Sequence, residues 1–378
     1  MQRRRFLQGA VATALASSSA GVERSILAQA VAPVPRPQPT PGPSILRGVN
    51  LGSWLVLEKW MTPSVFRGTE AGDEFQLCSA LGTRAAERLN AHRENFIKAE
   101  DFAWIKARGL NSVRLPVGFW ALQAPSPWVE CSKYLDFAFE QARLNGLQVL
   151  LDLHGAPGSQ NGMDHSGRAG DVGWHKSPAN IEASIVALEG MARRYGQHPA
   201  LNGIELLNEP RWDLPIDILK SYYQSAYKRL RPLMPKSVAI VIHDGFRPFE
   251  WKGFMTEPGY SNVLLDTHLY QAYTEADRKR TPQEHIIEAL GKKGHLDAMA
   301  GQLWTVVGEW SLGTPGEVWR GQSAFQIEVA KRAYGDAQLL SYESSHGWFY
   351  WSYKLENDSD WNFRTAVERG WLPSKFNL

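Results

Sequence analysis

Two glutamates stand at the ends of short apolar runs. Gly203-Ile-Glu-Leu-Leu-Asn-Glu-Pro210 closes on Asn208 and Glu209, and Thr305-Val-Val-Gly308 is followed by Glu309 and Trp310. Apolar runs of this length, bounded by Gly and Pro, read as short buried strands. A carboxylate at the end of such a strand is costly to bury without a purpose, so the pair points to two carboxyl groups facing one cleft. Their joint chemistry would be cleavage of a glycosidic bond. One group must be a protonated acid at the leaving oxygen, and the other an ionised nucleophile or a base for water. Close approach raises one of the two pKa values and keeps the acid protonated.

Other polar residues fall at the ends of further runs: Asn50, Arg114, His154, His243-Asp244, His268, Tyr270 and Trp351. Each alone has a plainer reading. Arg114 fits a rim ion pair, either histidine a satisfied buried imidazole, and Trp351 simple packing. Their arrangement around two glutamates favours a site. Arg114 and Tyr270 are suited to hold the ionised carboxylate by charge and hydrogen bond. Asn208, beside Glu209, can donate to a sugar 2-hydroxyl, a contact that strengthens in the transition state.

The elements that must position these groups alternate along the chain. Candidate strands are 46–50, 112–115 (closed by Pro116), 147–153, the Glu209 stretch, 238–242, 263–266, 304–308 and 348–351. Helices are expected over 83–108, 132–145, 177–195, 216–234, 282–299 and 322–344, with a last short one from Asn362. Ile181, Ile185, Leu188, Ala192 and Tyr195 form one apolar stripe. Eight βα units over residues 45–378 fit a single α/β domain, a (β/α)₈ TIM barrel with long loops, whose active site lies at the C-terminal strand ends. A doubly wound open sheet would want a Gly-rich phosphate loop after an early strand, and none is present.

Composition narrows the partners. A formal net charge of +2 with interspersed charges argues against a nucleic-acid partner. Fifteen Trp and twelve Tyr then favour sugar stacking, with many rings left for the core. No ligand-spaced His or Asp cluster calls for a metal, no cofactor motif is present, and a Gly-x-Ser-x-Gly elbow is missing. Cys78 and Cys131 are the only cysteines, and read either as one disulfide or as two separate buried thiols.

Residues 1–30 read as a signal peptide of the bacterial twin-arginine type, with Arg3-Arg-Arg-Phe-Leu7 before a weakly apolar stretch and Ala28-Gln-Ala30 as cleavage site. That implies a periplasmic or secreted protein. The apolar stretch is too short for a permanent membrane anchor. Residues 31–44 form a Pro-rich linker, with six prolines between Pro33 and Pro43. The mature chain is expected to act as a monomer.

Several segments together resemble the family 5 glycoside hydrolases, and within them the exo-β-1,3-glucanases of yeasts and other fungi. They include Arg47-Gly-Val-Asn-Leu-Gly-Ser-Trp-Leu-Val-Leu-Glu58, Val113-Arg-Leu-Pro-Val-Gly-Phe-Trp120, Asp152-Leu-His-Gly-Ala-Pro-Gly-Ser-Gln-Asn-Gly162, Asn208-Glu-Pro210, His268-Leu-Tyr270, Gly308-Glu-Trp310 and Lys354-Leu-Glu-Asn357. The resemblance implies a retaining double displacement, with Glu209 as acid/base and Glu309 as nucleophile. It places Arg114, His154, Asn208, His268 and Tyr270 around the substrate. It makes Trp351 the platform under the sugar and Glu58 an end wall that binds the terminal glucose. The departures are Met163-Asp164-His165 where these enzymes carry Phe-Asp-Asn, Tyr273 where they carry Phe, and Tyr353 where they carry Trp. These positions are expected at the entrance and the leaving-group side. The expected substrate is a β-1,3-glucan, with β-1,6-glucan and aryl or flavonoid glycosides as alternatives. A barrel that binds carbohydrate without cleaving it is a reading from another class.

Overall fold

The computed structural model describes residues 45–300 and 303–377. The expected signal peptide and Pro-rich linker lie outside the described residues.

Eight parallel strands close on themselves in chain order. They are β1 (Leu46–Asn50), β2 (Ser112–Gly118), β3 (Gln148–Gly155), β4 (Leu201–Glu205), β5 (Ala239–His243), β6 (Val263–Leu269), β7 (Trp304–Trp310) and β8 (Gly347–Tyr350). Outside them run α1 (Glu74–Leu81), α2 (Ala85–Phe96), α3 (Ala99–Ala107), α4 (Ser132–Leu144), α5 (Pro178–Tyr195), α6 (Ile216–Leu230), α7 (Glu275–Lys279), α8 (Pro282–Ala300), α9 (Ala324–Tyr342) and α10 (Phe363–Glu368). This is the expected (β/α)₈ barrel.

Strand side chains alternate between the two faces of the sheet, which builds the interior in layers. The bottom layer is apolar: Leu46, Leu150, Ala239, Val241, Leu264, Val306 and Phe349. Gly48 makes room for it, since a Cβ there would lie 2.5 Å from the Phe349 ring. Two residues further along, the inward positions turn polar: Asn50, Arg114, Asp152, Glu205, His243 and Asp266 are all buried. Outside the barrel, the apolar stripe of α5 packs as expected, with Ile185, Leu188, Ala192 and Tyr195 buried.

Some boundaries differ from expectation. β2 does not close at Pro116 but runs through it, with Pro116 beside Asp152 of β3 and a register shift only after Val117. The 83–108 segment is two helices. It breaks at Ile97 and Lys98, where the Lys98 amide donates to Asp101 Oδ2 at 2.8 Å and starts a new helix. β4 ends at Glu205, so Asn208 and Glu209 sit in the turn after the strand rather than on it. Cys78 and Cys131 are free, buried thiols, and burial pushes each up to about 12, which leaves them unreactive. Among the described residues, no helix is long and apolar enough to cross a membrane.

Candidate active site

Arg114 is the centre of the polar layer. Its Nη1 donates to Glu309 Oε1 and to Asn50 Oδ1, both at 2.9 Å. Its Nη2 donates to Asn208 Oδ1 at 2.8 Å and lies 3.1 Å from Asp152 Oδ2, while Nε donates to Glu205 Oε2 at 2.8 Å. The planar fork of a guanidinium satisfies this many acceptors at fixed angles, which an ammonium cannot. Burial disfavours the charge, but Asp152, Glu205 and Glu309 more than offset it, and the guanidinium stays charged. Burial also raises Glu205 well above the usual carboxylate range, against the pull of Arg114.

Irregularities in the ladder aim the groups above this layer. Register shifts fall between Thr267 and His268 on β6 and between Val307 and Trp310 on β7. Such bulges redirect side chains at a barrel rim, and here they set His268 and Glu309 toward the mouth. Gly308 permits the close approach, since a Cβ there would meet Asp266 Oδ2 at 2.0 Å. Glu209 adopts a left-handed backbone, φ 41°. Its turn is tied down by amides of the loop after β3. Asn161 donates to the Glu209 carbonyl at 3.1 Å, and Gln160 to the Asn208 carbonyl at 2.9 Å.

The two glutamates meet at one histidine. His268 Nδ1 lies 2.6 Å from Glu209 Oε1 and 3.4 Å from Glu309 Oε2. Those two oxygens are therefore at most 6.0 Å apart, the sum of the two distances. Tyr270 Oη donates to Glu309 Oε2 at 2.8 Å, so Glu309 has one hydrogen bond on each oxygen. Burial, together with Glu209, raises Glu309, against His268 and Arg114. Burial would also raise Glu209, but its hydrogen bond to His268 and the nearby histidine charges hold it low. His268 itself is lifted well above the usual histidine range: burial lowers it, and Glu309, Asp266 and Glu209 outweigh burial. The carboxyl raised by its neighbour is thus Glu309 and not Glu209, and the proton beside Glu209 is carried by His268.

His154 is fixed by Asp152, whose Oδ2 lies 2.6 Å from Nδ1. Burial lowers its pKa to about 4, so the ring is neutral and its buried Nε2, which has no partner among the described residues, is left as an acceptor. Asn208 Nδ2 is likewise buried and without a partner among the described residues, left as a donor. Unpaired buried polar atoms are costly, and these two are natural points for sugar hydroxyls.

The walls are aromatic and acidic. Trp351 stacks on His154, with centroids 5.5 Å apart and planes within 4°. Glu58 is buried and accepts from Trp60 Nε1 at 2.8 Å; burial and then Asp164 raise it well above the usual range. His165, expected at the entrance, has Nε2 3.4 Å from Glu209 Oε2 and its ring 5.5 Å from His154. Met163 and Tyr273 are exposed at the mouth. Tyr353 is a correction. It is fully buried, its hydroxyl donates to Asp101 Oδ1 at 2.9 Å and its ring packs on Trp104, so it belongs to the outer shell and not to the entrance.

Three groups escaped the sequence reading. Glu205 and Asp152 were absorbed into apolar runs, although Asp152 stands two places before His154 and so on the same face of β3. Trp361, from the loop after β8, links Trp60, Tyr270 and Tyr273, with centroids at 5.7, 5.3 and 6.2 Å. No spacing pattern announces it. The fold also brings together two groups that sequence spacing did not show, Glu209–His243–His268 and Glu205–Asp266–His268, each with ligand atoms within 4.8 Å. They come from different strands. Arg114 Nε, 2.8 Å from Glu205 and 3.9 Å from Asp266, already supplies the positive charge at the second.

A closed eight-stranded barrel with one buried and one partly buried carboxyl group at its mouth, a guanidinium and a tyrosine on the first and a histidine on the second, defines a β-glycoside-cleaving barrel. Residues 72–357 match the family profile Cellulase (glycosyl hydrolase family 5). The chain belongs to glycoside hydrolase family 5. It is 37% identical over 373 residues to a glucan 1,3-beta-glucosidase of Blumeria graminis, covering 87% of this chain and 86% of that protein. It is 38% identical over 371 residues to a probable glucan 1,3-beta-glucosidase A of Emericella nidulans, covering 87% and 90%. Among solved structures, the fold resembles a rutinosidase from Aspergillus niger with a TM-score of 0.71 and 20% identity, covering 86% of this chain and 97% of that one.

Proposed function

We propose that this enzyme removes glucose from the non-reducing ends of β-1,3-glucans with retention of configuration. The observation that carries the retaining mechanism is the shared histidine nitrogen, which keeps the facing oxygens of Glu209 and Glu309 within 6.0 Å. Retaining glycosidases hold their carboxyl groups about 5–5.5 Å apart, and inverting ones about 6.5–9.5 Å to admit a water. The substrate class is supported by the relatives named glucan 1,3-beta-glucosidase. Exo action is supported by the buried Glu58 carboxyl, bonded to the exposed Trp60, as an end wall.

In the first step a Glu309 oxygen attacks the anomeric carbon as the glycosidic C–O bond breaks. Arg114 and Tyr270 favour the ionised form of that carboxylate and aim it. The leaving oxygen takes a proton from Glu209, which receives it from His268 along the 2.6 Å bond and is left as a carboxylate. In the second step Glu209 takes a proton from water, whose oxygen attacks the same carbon and displaces Glu309. Two inversions leave the β-anomer. Asn208 Nδ2 and His154 Nε2 serve the sugar hydroxyls, and Trp351 carries the ring face.

Laminarin digestion followed by anomer-resolved NMR tests this. Glucose alone from the first time point, as the β-anomer, is expected; a ladder of oligosaccharides, or the α-anomer, would overturn it. Azide fixes the roles: with an activated aryl β-glucoside, Glu309→Ala should yield the α-glycosyl azide and Glu209→Ala the β-azide. A gentiobiose or flavonoid-glycoside preference is the second reading, favoured by the open Met163 and Tyr273 positions, which are 55% and 66% exposed. We further propose export through the twin-arginine signal, which Arg3→Lys with Arg4→Lys should block, and a monomeric enzyme.

A further inference from the structure

The acid Glu209 has a histidine on each oxygen. His268 Nδ1 lies 2.6 Å from Oε1. His165 Nε2 lies 3.4 Å from Oε2, and both of these side chains are partly buried. His268 comes from β6, whereas His165 comes from the loop after β3. His165 is also one of the positions at which this chain departs from the enzymes it resembles.

The loop fixes His165 against the acid. His165 is the middle residue of a single 3-10 turn, Asp164–Ser166, closed by Gly167 in the left-handed region at φ 84°. The Gly167 amide donates to the Asp164 carbonyl at 2.8 Å. Glycine is required there, since a Cβ would lie 2.3 Å from the Trp120 ring. Beneath the turn, the buried Ser166 hydroxyl donates to the Met163 carbonyl and lies 2.7 Å from the Ser159 hydroxyl. Asn161 then ties the loop to the acid itself. Its Oδ1 accepts from the Met163 amide at 2.9 Å, and its Nδ2 donates to the Glu209 carbonyl at 3.1 Å. The His165 ring rests edge-on to His154, with centroids 5.5 Å apart and planes at 62°.

A carboxylic acid that gives up its proton spreads a new negative charge over both oxygens. A hydrogen bond to that charged form favours it, and such a bond is stronger than one between neutral groups. Burial alone would raise Glu209; His268 opposes burial first and His165 after it. We propose that His165 is a positioning residue for proton donation, its Nε2–H closing onto Oε2 as Glu209 gives up its proton. The proton passes from Glu209 to the glycosidic oxygen, which also keeps the electron pair of the broken C–O bond, while Glu309 bonds the anomeric carbon. His165 keeps its own proton throughout. Its contribution therefore grows with the need for an acid: an activated phenolate departs without a proton, and a poor leaving group does not. This inference rests on the glycosidase reading above and names a residue through which its acid is strengthened.

The test compares kcat/KM for phenyl β-glucoside and 2,4-dinitrophenyl β-glucoside, which share an aromatic leaving group but differ in how readily it departs. In His165→Ala the phenyl value is expected to fall by about tenfold or more, the worth of a hydrogen bond to a charged group. The dinitrophenyl value is expected to stay within about twofold of the parent, since its departure needs no acid. His165→Gln, whose amide N–H reaches the same oxygen, should recover most of the loss. His165→Leu fills the space without a donor and should not, and it keeps the comparison valid if the Ala variant melts lower than the parent. An equal fall on both substrates, an unchanged phenyl value, or a Gln variant no better than Leu overturns the proposal. Failure of the glycosidase reading looks different: the parent enzyme would then cleave neither glucoside.

Discussion

Tyr270→Phe removes one hydrogen bond and little else. The hydroxyl donates to Glu309 Oε2 at 2.8 Å, while the ring stays against Trp361 and Tyr273, with centroids at 5.3 and 5.7 Å. A hydrogen bond to an ionised group contributes about 1.5–3 kcal/mol. Here it favours only the ionised form of Glu309, so its loss raises that pKa by about one to two units at 1.36 kcal/mol per unit. Burial and Glu209 already raise Glu309, and the variant adds to that direction. A nucleophile must be ionised, so the acid limb of kcat/KM moves to higher pH by the same amount. On that limb the rate falls about ten- to a hundredfold, at 1.4 kcal/mol per factor of ten, and much less on the alkaline side. The assay is the pH profile of kcat/KM with an aryl β-glucoside, whose good leaving group makes attack by Glu309 the step observed. A uniform fall with an unmoved acid limb would refute the argument, because Tyr270 would then act through shape alone. A limb displaced to lower pH would mean that Glu309 is not the group that must ionise.

Three further outcomes follow from the same geometry. His268 is raised by its carboxylate neighbours and so keeps its proton to higher pH; His268→Gln should bring the alkaline limb of kcat/KM to lower pH, read from the same profiles. Arg114→Lys keeps a charge but cannot reach all its acceptors. It should lose up to ~3–5 kcal/mol of stability, measured by urea unfolding, along with at least a hundredfold in activity. Tyr353→Phe breaks only a hydrogen bond to Asp101, which keeps Lys354 at 2.8 Å; it should cost about 1 kcal/mol on unfolding and leave the kinetics unchanged.

The barrel and most of the site were legible because strand-end polar residues are rare enough to stand out against apolar runs. Glu209 and Glu309 each closed such a run, and His154, His268 and Tyr270 fell where their strands ended or just beyond, while Arg114 lies within β2, which runs on to Gly118. Glu205 and Asp152 were hidden because a single acid inside an apolar run reads as noise until alternation assigns it to the inner face. Tyr353 misled for the opposite reason. It follows a site tryptophan by two residues, but its side chain turns outward to Asp101 and Trp104. Trp361 comes from a loop, where no periodicity links sequence to direction.

The guanidinium in the polar layer also bears on how the enzyme comes into being. Arg114 lies on the second strand, yet its partners are drawn from strands one, three and seven, from the end of strand four, and from the turn beyond it. During synthesis, Asn50, Arg114, Asp152, Glu205 and Asn208 all emerge before Glu309 does. A nascent or truncated chain lacking the seventh strand therefore has no nucleophile and an incompletely matched cation in its interior. Catalytic competence arrives only once the seventh strand joins the barrel, so chains that stop short of it are expected to be inert toward glucan.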